Sequence, residues 1–328
     1  MKQRIFTRRQ IIEEGTAKLE AAGIDGAARD AWYLMEYAAG ITRAVYYGEP
    51  ERVIPQEIVL RYQECVERRR QRIPLQHIIG EQEFMGLPFY VDGHVLVPRQ
   101  DTETLVEEAV KRIREMCRKE QDCGTFPKEH REGEQDSIQV LDMCTGSGCI
   151  LLSILKMCPN AQGVGCDISE EALAVARKNG NRLGLPADWV CSNLFAGIVP
   201  SKYDVIVSNP PYIPTADIKG LQDEVRFHDP LIALDGGEDG LDFYKRIVRD
   251  SISYIKRGGS LLFEIGCGQG KDVSELMKSC GYENVAVKKD LSGLDRVAAG
   301  IYAGDGACAG GKPFGDYLFQ EEERCLTD

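Results

Sequence analysis

A strand, a glycine-containing turn and a helix follow one another directly in the middle of the chain. Residues 137–142 (SIQVLD) predict a strand, and the next turn contains Gly146 and Gly148. An apolar helix begins at residue 150, and a second strand ends at Asp167. Strands joined by a crossover helix pair in parallel, with helices covering the sheet. The sequence therefore predicts an α/β domain built on an open parallel sheet.

The same unit has the features of a nucleotide site. Glycine lets a ligand approach the backbone closely, and the first N–H groups of a helix lack intrahelical partners. Asp167, at the end of the next strand, can accept both ribose hydroxyls. The third glycine of the dinucleotide fingerprint is missing, because Leu151 occupies its position. This disfavours a nicotinamide cofactor and suits S-adenosylmethionine, which has an adenosine but no pyrophosphate.

A proline corner follows another buried strand, YDVIV at residues 203–207. Pro210 and Pro211 have no N–H group and a fixed φ, so the corner offers carbonyl oxygens and the side chains of Asn209 and Tyr212. These groups suit a planar NH₂ group, and residues 209–212 resemble the Asn-Pro-Pro-Tyr signature of methyltransferases that modify one, either adenine N6 or a glutamine amide. The carboxyl ends of parallel strands meet at one edge. We therefore expect the corner, the glycine turn, Asp167 and the loop at Asn193 to open onto one crevice.

The N-terminal part of the chain predicts helices from residue 7 to about residue 72. Thr7 is a candidate cap for the first helix, and Pro55 suits the first turn of a later one. That later helix ends in a basic cluster that either stabilises its C-terminus or binds substrate, namely Arg68, Arg69, Arg70 and Arg72. Residues 74–80 and 84–91 predict a β-hairpin. Arg99 and Glu103 form an ion pair or contact ligand, and the sequence leaves both open.

The composition of the chain limits the kinds of molecule that it can bind and the compartment in which it works. A net charge of -12 argues against a broad nucleic-acid surface, which needs Lys and Arg. Residues 1–30 lack the apolar core of a signal peptide, and no apolar run is long enough to span a membrane, so we expect a cytoplasmic protein. The twelve cysteines include no CxxC pair and there are only four histidines, so we expect reduced thiols and no metal site.

From about residue 7 to residue 302 the sequence resembles the HemK/PrmC family of release factor glutamine N5-methyltransferases. Several of the matching blocks are not shared with DNA methyltransferases. The blocks are residues 74–76 with Gly80, 98–103, 142–148, 209–212, 224–225 with 229–230, 233–234, 236–241, 264–266 with Gln269, and 290–296.

The resemblance implies a Class I (Rossmann-like) S-adenosylmethionine-dependent methyltransferase domain at residues 98–303. A helical substrate-docking domain at residues 1–75 and a β-hairpin connector at 76–97 would precede it. We expect a surface insertion at 118–135 and a tail at 304–328. A helix around residues 244–255 and an antiparallel pair, 285–288 with 296–301, would complete the domain.

The family resemblance also implies the reaction: methyl transfer to the glutamine of a Gly-Gly-Gln loop in a peptide chain release factor. We expect a monomer that binds neither nucleic acid nor membrane. One alternative is an adenine-N6 DNA methyltransferase, but that class predicts a basic cleft and a target-recognition domain, and the sequence shows neither. A nucleotide-sensing module is the other alternative, and it would not need the proline corner.

Site residues follow from the motifs and the resemblance. We expect the Asn209 oxygen and the Pro210 carbonyl to accept the two amide N–H bonds, Tyr212 to pack on the amide plane, and Pro211 to support the turn. The expected cofactor residues are Cys144, Thr145, Gly146, Ser147, Gly148, Asp167, Asn193, Leu194 and Asn209. The family usually has glycine at position 144 and aspartate at 193, and some members have tryptophan at 194. Asn193 could still accept the adenine amine through its oxygen.

Overall fold

A bundle of helices forms the N-terminal part of the protein. The computed structural model describes residues 5–122, 137–199 and 201–304. The bundle helices are α1 (Arg8–Ala21), α2 (Ala27–Ala39), α3 (Arg43–Gly48) and α4 (Gln56–Arg70). Thr7 caps α1 as predicted, in a reciprocal capping box with Gln10. Pro55 stands immediately before α4 rather than in its first turn. The helices share an apolar core that contains Leu19 and Leu34.

A short helix and a hairpin connect the bundle to the rest of the chain. Residues 75–79, which we predicted as part of the hairpin, instead form α5 (Leu75–Ile79), so that prediction was wrong there. Pro74 precedes its first residue, and Gly80 ends it in the left-handed conformation. The hairpin itself pairs β1 (Glu81–Phe84) with β2 (Leu87–Tyr90). Short apolar runs fit a strand or a helix equally well, which explains the error.

A seven-stranded sheet forms the centre of the larger part. Its strands are β3 (Ile138–Met143), β4 (Ala161–Asp167), β5 (Asp188–Cys191), β6 (Tyr203–Ser208), β7 (Ile255–Glu264), β8 (Tyr282–Lys289) and β9 (Asp295–Tyr302). Their order in space is β5-β4-β3-β6-β7-β9-β8. The strands from β5 to β7 pair in parallel, and β9 runs antiparallel to both of its neighbours. This order confirms the predicted Class I (Rossmann-like) fold.

Helices cover both faces of the sheet. They are α6 (Glu103–Asp122), α7 (Cys149–Met157), α8 (Glu170–Leu183), α10 (Asp242–Ser251) and α11 (Gly270–Ser279), whereas the short α9 (Asp223–His228) lies in the connection between β6 and α10. Successive strand residues face opposite sides, so Val205 and Val207 pack with α6 and α7, whereas Ile206 packs with α10 and α11. Two apolar layers therefore enclose β6 and fix the position of the corner that follows it.

Two boundaries differ from the sequence prediction. Helix α6 continues through residue 122, because residues 118–121 are all good helix formers; that part of the predicted 118–135 insertion is therefore helical. Residues 123–135, and the tail beyond Gly304, lie outside the described residues. Helix α10 ends at Ser251, and Ile255 already belongs to β7.

Within the described ranges, no helix has both the length and the apolarity needed to cross a membrane.

Candidate active site

A cavity of about 230 Å³ lies at the carboxyl edge of β3, β4 and β6. The structure brings most of the sequence-predicted site residues to its walls: Cys144, Thr145, Gly146, Ser147, Asp167, Asn193, Leu194, Asn209 and Pro211. Gly148, Pro210 and Tyr212 are not among the residues that line it. Because the cavity extends from the glycine turn to the proline corner, one bound molecule can contact both.

The turn after β3 is held by one side-chain hydrogen bond of its own and by one to the end of β4. Thr145 donates its hydroxyl to Asp142 at 2.6 Å, and the Gly146 N–H donates to Asp167 at 2.9 Å. Gly146 and Gly148 both have positive φ. A Cβ at Gly146 would meet no atom within 4 Å, whereas one at Gly148 would lie 2.8 Å from the Trp189 ring. Gly146 therefore leaves space open to the cavity, whereas Gly148 leaves room for the ring of Trp189 from β5.

Cys144 and Leu194 adopt positive φ, at 58° and 54°, which non-glycine residues seldom do. The turn at Cys144 thus keeps a conformation that glycine adopts without strain. Burial raises the pKa of the Cys144 thiol well above its ordinary value, so the thiol is protonated at neutral pH. The HemK/PrmC family usually has glycine at this position. Cys144 instead places a neutral thiol on the cavity wall.

The carboxylate of Asp167 fits an adenosine-bearing ligand. Its Oδ2 accepts the Gly146 N–H, and its Oδ1 accepts the Ser169 N–H at 3.0 Å. Each carboxylate oxygen can accept more than one hydrogen bond, so both remain able to accept ribose hydroxyls. Burial raises the pKa of Asp167, because desolvation outweighs the backbone N–H groups of Ser169, Gly146 and Ile168, which favour the charged form.

Arg246 lies at the same end of the cavity and was missed from the sequence. Its Nη2 donates to the Oδ1 of Asn193 at 2.7 Å, and both residues line the cavity. The oxygen that we expected to accept an adenine amine therefore already has a charged donor, and a ligand must share it. No sequence pattern predicts that Arg246, on a polar face of α10, contacts a loop more than fifty residues earlier in the chain.

The proline corner follows directly from β6. The Ser208 hydroxyl donates to the Met143 carbonyl at 2.8 Å, which ties the ends of β6 and β3 together. Asn209 is half-buried on the cavity wall, and the two prolines are buried. Tyr212 donates its hydroxyl to Glu264 at 3.4 Å. Burial raises the pKa of Tyr212 to about 12, so this side chain is a neutral phenol.

A glycine-rich segment packs against the back of this corner. The Gly236 N–H donates to the Ile213 carbonyl at 2.8 Å. A Cβ at Gly236 would lie 2.7 Å from the Tyr212 Cα, and one at Gly240 would lie 2.4 Å from the Tyr212 carbonyl oxygen. The Gln269 side chain donates to that same oxygen at 3.0 Å. These contacts leave the corner little freedom to move.

The two side chains whose pairing the sequence left open have separate partners. Arg99 donates to Asp229 at 3.3 Å and also lines the cavity. Glu103 accepts the Met85 N–H at 2.8 Å. Arg99 thus belongs to the cavity wall, whereas Glu103 ties α6 to the hairpin.

The buried Asp142 makes stability depend on pH. Burial raises its pKa from 3.8 to about 7. Between these values the folded chain keeps a proton that the unfolded chain has released, so the free energy of unfolding falls as pH rises, by up to about 1.4 kcal/mol per pH unit. We expect Asp142→Asn to flatten the profile of unfolding free energy between pH 4 and 7, measured by urea denaturation. The exposed Asp217→Asn is the control, and a profile as steep as that of the wild type would contradict the assignment.

Known protein families and curated relatives match this chain over most of its length. A family model described as PrmC N-terminal domain matches residues 10–80, and one described as Methyltransferase small domain matches residues 124–222. A release factor glutamine methyltransferase from Geobacter sulfurreducens is 38% identical over 299 residues, 91% of this chain and 98% of its own. Another from Caulobacter vibrioides is 38% identical over 291 residues, 87% and 92% of the two chains. A methyltransferase structure from Pyrococcus furiosus has a TM-score of 0.48 at 18% identity, covering 73% and 99%.

Proposed function

The chain belongs to the release factor glutamine methyltransferase family, and from this membership we propose its reaction. It transfers a methyl group from S-adenosyl-L-methionine to the side-chain amide nitrogen (N5) of the glutamine in the Gly-Gly-Gln motif of peptide chain release factors. The donor's bond between sulfur and methyl carbon would break as the nitrogen–carbon bond forms, and S-adenosyl-L-homocysteine and one amide proton would be released. One observation supports this above the others: Asn209, the first residue of the proline corner, lines the same cavity as Asp167 and the glycine turn. An amide bound at the corner therefore adjoins the site of the methyl donor.

The residues of the cavity fit the proposed methyl donor. Asp167 would accept its ribose hydroxyls, the turn at Gly146 would lie against it, and Asn193 and Leu194 would flank its adenine. When bound, S-adenosylmethionine supplies an electrophilic methyl carbon attached to a positively charged sulfur. We propose that no metal takes part, and we expect dialysis against EDTA to leave the rate unchanged.

The proline corner supplies the activation that an amide needs. The lone pair of an amide nitrogen is delocalised into its carbonyl, so the nitrogen is a weak nucleophile. We propose that the Asn209 oxygen and the Pro210 carbonyl accept the two N–H bonds, which raises electron density on nitrogen and fixes its orientation. Because Gly236 and Gln269 hold the corner, these acceptors need little reorganisation during the reaction. Tyr212, anchored on Glu264 as a neutral phenol, covers the amide plane.

The proposed substrate is a protein and not a nucleic acid. The net charge of -12 suits a protein partner better than a phosphate backbone. We propose that the N-terminal helices dock the body of the release factor, and that the enzyme acts as a cytoplasmic monomer. Adenine-N6 methylation of DNA would use a similar corner, so it is the alternative that an assay must exclude.

Transfer of radiolabelled methyl groups to two purified substrates tests the proposal. We expect label in an unmethylated release factor and none in unmethylated DNA. A release factor whose Gly-Gly-Gln glutamine is replaced by alanine serves as control and should remain unlabelled. Label in DNA, or equal label in the control release factor, would contradict the proposed substrate.

A further inference from the structure

The guanidinium of Arg69 joins two parts of the protein that are distant in sequence. Its Nε donates to Asp30 in the helical bundle at 2.8 Å, and its Nη2 donates to Glu224 of α9 at 2.7 Å. The Arg69 and Asp30 side chains are 4% and 1% exposed, whereas that of Glu224 is 29% exposed. Nη1 donates to the Ile73 carbonyl at 3.2 Å. Arg69 therefore directs its donors into the protein rather than toward a substrate.

The other basic residues near the end of α4 behave differently. Arg70 pairs with Glu67 at 2.6 Å on the surface, where both side chains are about half exposed. Arg72 donates to the Ala22 carbonyl at 2.9 Å within the bundle. Of the basic residues whose contacts the structure describes at this helix end, Arg69 is the one bound to α9.

Helix α9 leads directly into the wall of the active-site cavity. The ring of His228, the last residue of α9, contacts the Gln71 carbonyl at 3.1 Å. Asp229 accepts the hydrogen bond from Arg99. The residues that follow line the cavity, namely Pro230, Ile232 and Ala233. The bundle thus holds α9 at both of its ends, a few residues before the chain becomes cavity wall.

The same segment presents apolar side chains to solvent beside the cavity. Phe227 is 61% exposed, Leu231 60% and Ile232 53%. Ile232 also lines the cavity. Exposed apolar groups at the edge of a site are a surface on which a protein substrate can pack. The position of residues 223–233 therefore affects both the cavity wall and the surface around it.

We propose that Arg69 is a positioning residue, which fastens residues 223–233 to the helical bundle through Glu224 and so sets the substrate-side wall of the active site. This inference rests on the proposed function, because it assigns the wall to the protein substrate. The cavity wall then lies at a fixed distance from the bundle. A substrate that docks on the bundle therefore brings its glutamine to the wall in one position.

Glu224→Ala is the informative variant. Removing Arg69 itself would leave the buried Asp30 carboxylate with the exposed Arg29 as its remaining cationic partner, and would destabilise the bundle as well as release α9. Because Glu224 is partly exposed, water takes the place of its carboxylate beside Arg69 in Glu224→Ala. We expect kcat for a release factor to fall about 10-fold with KM nearly unchanged, because the substrate still docks but its glutamine is misplaced. We also expect amide hydrogen exchange in residues 223–233 to accelerate about 10-fold.

Two further variants separate positioning from general stability. Asp223→Ala removes an exposed acid from the same helix and should behave like the wild type. Glu224→Gln keeps an oxygen acceptor for Arg69 and should recover most of kcat. Wild-type exchange in Glu224→Ala would overturn the proposal, as would faster exchange with an unchanged kcat. If the wild-type enzyme failed to methylate any release factor, the proposed function would fail, and the exchange measurement would still decide whether Arg69 fastens this segment.

Discussion

Replacing Asn209 with alanine is expected to lower kcat by about 10³-fold. The variant loses a side-chain oxygen that accepts an amide N–H, so the nitrogen is neither oriented nor enriched in electron density. Asn209 is half-buried on the cavity wall, and its removal leaves both prolines and the tie from Ser208 to Met143 in place. The corner should therefore keep its backbone conformation.

Cofactor binding separates this role from a structural one. Isothermal titration calorimetry should give a dissociation constant for S-adenosylmethionine within about 3-fold of the wild type, because Asp167 and the glycine turn are untouched. An Asp167→Ala variant supplies the opposite control, with cofactor affinity lost. If Asn209→Ala lost affinity and turnover in equal measure, Asn209 would be a cofactor residue and not the amide acceptor.

The second large effect is expected from Gly236→Ala, a change that touches no ligand. The added Cβ would lie 2.7 Å from the Tyr212 Cα and 2.9 Å from the Pro211 carbonyl oxygen. Backbone must shift to relieve such contacts, and the nearest backbone is the proline corner. A displacement of about 1 Å at the acceptors is expected to lower kcat by about 10²-fold, and overpacking should cost about 1–3 kcal/mol of stability.

Gly220→Ala is the matched control for this prediction. It lies in the same connection between β6 and α10, it is exposed, and a Cβ there would meet nothing within 4 Å. Its kcat and thermal midpoint should equal those of the wild type. A Gly236→Ala enzyme that was destabilised yet fully active per folded molecule would show that the close packing serves folding alone.

The sheet and its functional edge could be predicted because they depend on local patterns. Alternating strand and helix signals give parallel pairing, and parallel pairing brings the carboxyl ends of β3, β4 and β6 together. The glycine turn, Asp167 and the proline corner each stand at such an end. Their meeting in one cavity therefore follows from topology, without knowledge of any side-chain contact.

The features that could not be predicted from the sequence depend on contacts between distant segments. The pairing of Arg69 with Glu224 spans 155 positions, and a basic helix end gives no signal for such a partner. Arg246 reaches Asn193 for a similar reason. Gly236 was visible only as part of the matching block at residues 236–241, which gives no sign of its tight packing on the corner. In α5, a run of five residues is too short for periodicity to separate a helix from a strand.

The central claim is that two oxygen atoms of the proline corner hold a glutamine amide in place for methyl transfer. The most direct measurement is a crystal structure of the enzyme with S-adenosylhomocysteine and a release factor whose Gly-Gly-Gln loop is intact. We predict that the glutamine amide nitrogen lies about 2.9 Å from both the Asn209 Oδ1 and the Pro210 carbonyl oxygen. A glutamine nitrogen bound elsewhere in the cavity, with neither oxygen in contact, would contradict this claim.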